Sequence, residues 1–389
     1  MTHDPSSIRS ATQRADGRAR QPPAAVIHRR ARSRHAHAPH STTGSAGFLR
    51  TVTFPYAWVM QRNDRIEYTL RQAEQARMCA WTKDRTLRQS FRGRVETGEI
   101  VAVHPDLFAR PAYWQSLDYR ERIMHTLRAV QDMHPAWIFC NVSAAAAWGL
   151  NETYAMHDFV HLAASHGTMS RNRGYRRFHY VAPLDVRRSD GVRVTDLLRT
   201  MFDCARSLPF PQALAICDAA LRIHRIDREE FIAYCERLGS RYGIRRALFV
   251  ASHVDGRSEN GGESILRAQL IAWGYVPPEL QQWFRSPLNG QSWRVDFLWS
   301  LTDGRLIVLE LDGREKYENP SMTAGGDAVD VVLAEKRREG DLMLNGNVGI
   351  VRTTYREVTQ EPWTLQRKLD IAGVPKGVPP VIPPSPFVH

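Results

Sequence analysis

From Trp293 to Asp312, apolar and polar side chains alternate in two runs separated by Asp303-Gly304, the pattern of two antiparallel strands joined by a tight turn. On the first run Val295, Phe297 and Trp299 fall on one side, and Arg294, Asp296 and Leu298 on the other. On the second, Leu306, Val308, Glu310 and Asp312 share a face. The opposite face, Ile307, Leu309 and Leu311, is apolar too, which predicts a strand buried on both sides. A three-residue loop, Thr302 to Gly304, centres the register on Asp303 and sets Asp296 opposite Glu310, with Cβ atoms roughly 5 Å apart. Carboxylates in that relation repel, and burying an unpaired one is costly, so the pair calls for a proton or a divalent cation. Hard oxygen donors suit Mg²⁺ or Mn²⁺.

Nearer the N-terminus the spacing is helical from Ile66 to Trp81 and is broken by Thr82-Lys83-Asp84. A second helix, Leu87 to Glu96, carries Arg88, Arg92 and Arg94 and ends at Gly98. Two short strands then flank a Pro105-Asp106 turn, a layout that predicts a winged helix-turn-helix with the basic helix in the recognition position. In the middle of the chain, Ala144 to Ala147 predicts a tight helix-packing face. Gln212 to Ile223 predicts a core helix through Ala213, Ile216, Ala220 and Ile223. Arg171, Arg173, Arg176 and Arg177 surround Gly174 in a basic turn, read as a solvated loop or a phosphate contact. These signals predict an α/β (α+β multidomain) chain divided at 1–46, 47–115, 116–252, 253–365 and 366–389, with a basic arm first and a proline-rich extended tail last.

Charge sharpens this outline. The chain has 53 Lys plus Arg against 41 Asp plus Glu, a net charge of +12. Residues 1–46 hold eight Arg, no Lys and two Asp, so half of that excess sits in a segment too poor in large apolar residues to bury a core. Such an arm neutralises phosphates without regard to sequence, or is an unselected extension. Five widely spaced cysteines without a CxxC pair predict buried thiols and argue against zinc. With no leader pattern and no run of about 18 apolar residues, the expectation is a cytoplasmic protein outside the membrane. Walker-type loops, repeats and a Ser-His-Asp arrangement are not evident.

Residues 261–358 resemble the PD-(D/E)XK nuclease superfamily, in particular its very-short-patch-repair-like endonuclease domains. The likeness rests on Gly262-Glu263-Ser264-Ile265-Leu266, Arg294-Val295-Asp296-Phe297, Val308-Leu309-Glu310-Leu311-Asp312-Gly313, Lys316-Tyr317, Ala334 to Glu339 and Val348 to Arg352. It implies a restriction-endonuclease-like mixed sheet flanked by helices, with Glu263, Asp296 and Glu310 holding a metal that activates water at a phosphodiester of DNA. Glu263 has a second reading, as an acid favoured at a helix N-terminus. The superfamily's Glu-x-Lys is here Glu310-Leu311-Asp312, so the lysine's role falls to Lys316 or Lys336, with Asp312 beside them. Residues 66–225 resemble, more loosely, the AbiEi-type antitoxin and transcriptional-regulator proteins. That likeness rests on Arg94 to Phe108, Ser143 to Leu150, Phe159 to Leu162 and Gly191 to Asp203. It implies DNA binding through Arg88, Arg92 and Arg94. It also leaves open a regulator or antitoxin-like protein without catalysis, with a toxin-like protein partner.

Overall fold

A computed structural model describes residues 62–150, 156–164, 172, 174–182, 184–286, 288, 290–312, 340 and 346–384. The arm at 1–46, Arg171, Arg173, Lys316, Lys336 and the charged segment Glu335 to Glu339 lie outside them. The described residues all belong to one compact unit.

Helices α1 (Arg62–Gln75) and α2 (Arg85–Glu96) precede a hairpin of β1 (Val101–His104) and β2 (Leu107–Ala109). Asp84 caps α2, its carboxylate accepting the Thr86 and Leu87 amides, and Phe91 stacks on Phe108 to join helix and wing. The helical spacing predicted to Trp81 stops at Gln75. Arg77 turns the chain at φ +51°, and Ala80 then pairs with Phe108 as a bridge beside the wing. The wing turn falls at Pro105-Asp106, with Asp106 at φ +70°.

Next come α3 (Pro111–Ser116), α4 (Tyr119–Met133), α5 (Asn141–Ala147), the parallel pair β3 (Val160–Ala164) and β4 (Arg176–Tyr180), and the hairpin β5 (Val186–Ser189) with β6 (Val192–Thr195). Asp190-Gly191 closes that hairpin with both residues at positive φ, +47° and +83°, as a type I′ turn requires. Every residue of α5 is buried, as its run of alanines implies. Helices α6 (Leu197–Ser207), α7 (Phe210–His224), α8 (Arg228–Arg237), α9 (Ile244–His253) and α10 (Gly261–Ala272) build a helical core. Ala213, Ile216 and Ala220 of α7 are buried there, but Ile223, predicted with them, is 47% exposed because it falls in the last turn, where the helix leaves the core.

Helix α10 serves two cores. Ala268 and Ile271 pack among α6, α7 and α9, while Ile265, Leu266 and Leu270 cover one face of a four-stranded sheet. That sheet has the order β10-β9-β8-β7, made of β7 (Glu279–Arg285), β8 (Ser292–Ser300), β9 (Leu306–Asp312) and β10 (Val348–Thr354). The first three strands run antiparallel in sequence, and β10 lies parallel to β9. Helices α11 (Tyr355–Thr359) and α12 (Pro362–Ala372) follow, Leu365 and Leu369 packing on the same sheet face as α10. The tail then runs extended along the surface: Val276 donates to Pro375, Gly377 to the carbonyl of Gly274, and Arg246 to the carbonyl of Pro383. All five cysteines are buried thiols, and burial raises the pKa of each. No helix among the described residues is long and apolar enough to cross a membrane.

Candidate functional site

Strands β8 and β9 meet in the predicted register. Phe297 faces Leu309, Trp299 faces Ile307, and Leu301 donates to the carbonyl of Arg305 across the loop Thr302 to Gly304. The ladder runs as far as Phe297 with Leu309, and beyond it the Asp296 carboxylate accepts the amide of Leu311, the residue after Glu310, at 3.0 Å. Strand β9 divides its faces as predicted, Leu306 and Val308 to one side and Ile307, Leu309 and Leu311 to the other.

Strand β8 does not keep strict alternation. Phe297 and Trp299 face α10, but Val295 packs with Leu298 and Val308 on the opposite face. The side change falls at Asp296. Across from it on β7, pairing is regular for Leu280 with Phe297 and for Gln282 with Val295, but Gln281 between them sits at φ +55° and leaves the ladder. A left-handed glutamine is costly unless its surroundings hold it there. Gln281 is held by its side chain, which donates to Glu263 Oε2 at 3.0 Å, while its Oε1 is buried without a hydrogen-bond partner among the described residues.

Glu263 is 4% exposed at the start of α10. Its carboxylate accepts the Glu259 amide and the Asn260 side-chain amide, both at 2.7 Å, while Asn260 accepts the Glu263 amide in return. This is a reciprocal cap, foreshadowed by the Asn260-x-x-Glu263 spacing. Burial, with the charge of Asp296 adding to it, pushes the Glu263 carboxyl up to about 7. Glu263 has its oxygens committed to the cap and to Gln281, and among the described residues no three His, Cys, Asp or Glu side chains gather in a way that could hold a metal ion. Asp296 and Glu310 remain as the adjacent pair.

Positive charge reaches this pair from β10. Arg352 stands directly across from Glu310 in the parallel ladder, its guanidinium 3.7 Å from Glu310 and 3.9 Å from Asp312. Sequence reasoning looked for the balancing cation only among lysines and missed Arg352, although its alignment with Glu310 follows once β10 is placed parallel to β9. Asp312, at the exposed end of β9, meets Arg352 at the edge of the pair.

The arginines of α2 are only partly available to a ligand. Arg94 bonds Asn63 at 3.0 Å and lies 3.5 Å from Glu67 and 3.6 Å from Glu99, tying α2 to α1 and the wing. Arg88 donates to the Thr82 carbonyl and lies 3.7 Å from Asp106. Arg92 also reaches Asp106, at 2.8 Å, yet its side chain is 61% exposed. Of the three predicted contacts, Arg92 is the one presented outward; Arg88 and Arg94 are turned to structural partners because their long stems reach acids that lie distant in sequence. Arg176 and Arg177, predicted in a turn, belong to β4.

No family model matches the chain. Two proteins of Mycobacterium tuberculosis are similar to it, Uncharacterized protein MT2308 of strain CDC 1551 / Oshkosh and Uncharacterized protein Rv2248 of strain ATCC 25618 / H37Rv. Each is 35% identical over 285 residues, which cover 71% of this chain and 90% of the relative.

Proposed function

The chain belongs to the family of these two Mycobacterium tuberculosis proteins, and for it we propose a cytoplasmic DNA-binding protein whose sheet unit is a PD-(D/E)XK-like, metal-dependent DNA endonuclease. The observation that supports this reading is the meander β7-β8-β9 behind α10, closed by a parallel β10, with Asp296 and Glu310 on its two central strands and the Asp296 carboxylate bonded to the amide after Glu310.

The donor set fits a hard divalent cation. Two carboxylates on neighbouring strands, a buried Gln281 Oε1 without a partner among the described residues, and a Glu263 proton affinity raised in part by Asp296 all mark a local excess of oxygen charge. Mg²⁺ binds through one or two carboxylates and keeps several waters, so the absence of a third carboxylate is compatible with it. Asp296 and Glu310 would hold the ion, and it would supply a nucleophilic water and charge stabilisation at the phosphodiester. Gln281 ties the capped start of α10 to β7, and Arg352 lies against Glu310 and offsets its charge. Winged-helix contact through Arg92 would deliver DNA, and Lys316 or Lys336 would act beside the scissile phosphate.

A second reading is favoured by Asp312 in place of the expected lysine: a regulator or antitoxin-like protein in which the sheet unit binds DNA or a protein partner without cutting. Both readings meet in one experiment. The purified protein is incubated with supercoiled, linear and single-stranded DNA in Mg²⁺, Mn²⁺ or EDTA, beside Asp296→Ala and Glu310→Ala. Cleavage that needs metal and is lost in both variants is the expected result. Equal DNA binding by all three proteins with no cleavage of any substrate selects the regulator.

A further inference from the structure

Beside the wing, aromatic rings and one guanidinium form a continuous row. His104, the last residue of β1, stacks on Tyr175 with centroids 4.4 Å apart and planes 13° apart. The Arg176 guanidinium lies 5.3 Å from the Tyr175 ring and 5.6 Å from that of Trp137. Trp137 stacks on His134 at 3.6 Å and meets Phe178 edge-on at 5.6 Å. Tyr175 is buried and anchors the row, whereas His134, Trp137, Arg176 and Phe178 each keep part of their surface in solvent.

Two further observations point to a ligand. Arg176 Nε and His134 Nε2 are buried and have no hydrogen-bond partner among the described residues, a cost that a bound polar group would remove. Burial and then the charge of Arg176 lower the pKa of His134, which keeps that ring neutral and suited to stacking. A guanidinium beside two rings brings N–H groups suited to a phosphate, and the partly exposed rings of His134, Trp137 and Phe178 are suited to bases of any identity. A basic group interleaved with aromatic platforms is the chemistry by which unpaired strands are held without sequence readout. Among the described residues β4 pairs only with β3, and Arg176 and Phe178, two apart on β4, point to one side of it.

We propose that the row from His104 to His134 binds an unpaired nucleic-acid strand, continuing past the wing along β4. The proposal is independent of the carboxylate pair and of duplex binding by α2. Fluorescence anisotropy with labelled oligothymidine and oligouridine of about 15 nucleotides, beside a duplex of the same length, tests it on the full chain. Trp137→Ala and Arg176→Gln are each expected to weaken binding of the single strand on the order of tenfold, with Arg176→Lys intermediate because charge survives and the planar contact does not. Arg177→Ala, whose side chain leaves the opposite face of β4, is expected to bind as wild type, and Arg92→Ala to weaken duplex binding while keeping the single strand. A preference for the deoxy or the ribo strand supports the proposal and identifies its source. If circular dichroism shows that Trp137→Ala does not fold, the smaller change Arg176→Gln decides alone. Wild-type affinity in Arg176→Gln, or no single-strand binding by the wild type, overturns the proposal.

Discussion

Removing the Arg267 side chain should be strongly destabilising, because it would strand a buried charge. Asp218 on α7 is fully buried and Arg267 on α10 nearly so, with Nη2 and Oδ2 2.6 Å apart. Around them Asp218 accepts the Asp255 amide at 2.8 Å, and Arg267 donates to the His253 carbonyl at 2.6 Å. Burial raises the pKa of Asp218 even though Arg267 opposes the shift. Breaking a buried pair by deleting one partner costs about 3–5 kcal/mol, whereas replacing both by apolar residues of similar volume is near neutral. Arg267→Ala is therefore expected to lose about 3–5 kcal/mol in urea unfolding followed by circular dichroism, and Asp218→Leu combined with Arg267→Met to recover most of it. The pH dependence has a definite sign. A carboxyl with a raised folded pKa contributes stability that is present below its unfolded pKa and lost as pH rises through the folded one. In Arg267→Ala, where nothing opposes the raising by burial, the loss should deepen from acid toward neutral pH. A loss under about 1 kcal/mol, or a double variant as weak as the single, would refute the reasoning.

Glu263, whose carboxyl stands at about 7, gives a second pH signature: its contribution to stability is full below about pH 4 and is lost as pH rises through 7. Glu263→Gln should therefore flatten the stability profile across that window by on the order of 1–3 kcal/mol, read from urea midpoints at pH 5 and 8. Arg94→Ala should lower stability by about 1–2 kcal/mol with little change in duplex affinity, since its partners are Asn63, Glu67 and Glu99. Arg92→Ala should do the reverse and reduce the salt dependence of binding by about one phosphate contact. Gly274→Ala should loosen the tail, because φ is +81° there and an added Cβ would lie 2.9 Å from Pro379; faster proteolysis after Gly373 is the readout.

The register of β8 and β9 was legible because a three-residue loop leaves little choice once both strands alternate, and the faces of β9 followed from it. The side change at Asp296 was not, because it depends on Gln281, whose left-handed backbone is stabilised by a contact with Glu263 on another element. The Asn260-x-x-Glu263 spacing carries a cap signal that the sequence reading did not use, having grouped Glu263 with the acids of β8 and β9. The partners of Arg94 and Arg88 were not legible, because a basic helix shows its charges in sequence and conceals the acids of other elements that fold against them. Helix α1 was extended too far for a related reason. Met78 to Trp81 continue an apolar spacing, yet Arg77 turns the chain and Ala80 joins the wing.

The tail's path across Gly274 to Arg246 has a consequence for the order in which the protein can mature. Ile382 packs against the helical core of α5 to α10, and Pro383 receives the buried Arg246, so a core assembled chiefly from residues before 272 is finished by residues that follow the sheet unit. During synthesis those helices emerge first and must wait, with Arg246 lacking its last acceptor, until the whole sheet unit has left the ribosome. The segment around Ile382 and Pro383 is thus the last part of this core to be synthesised, made after every helix of the core and after the sheet unit.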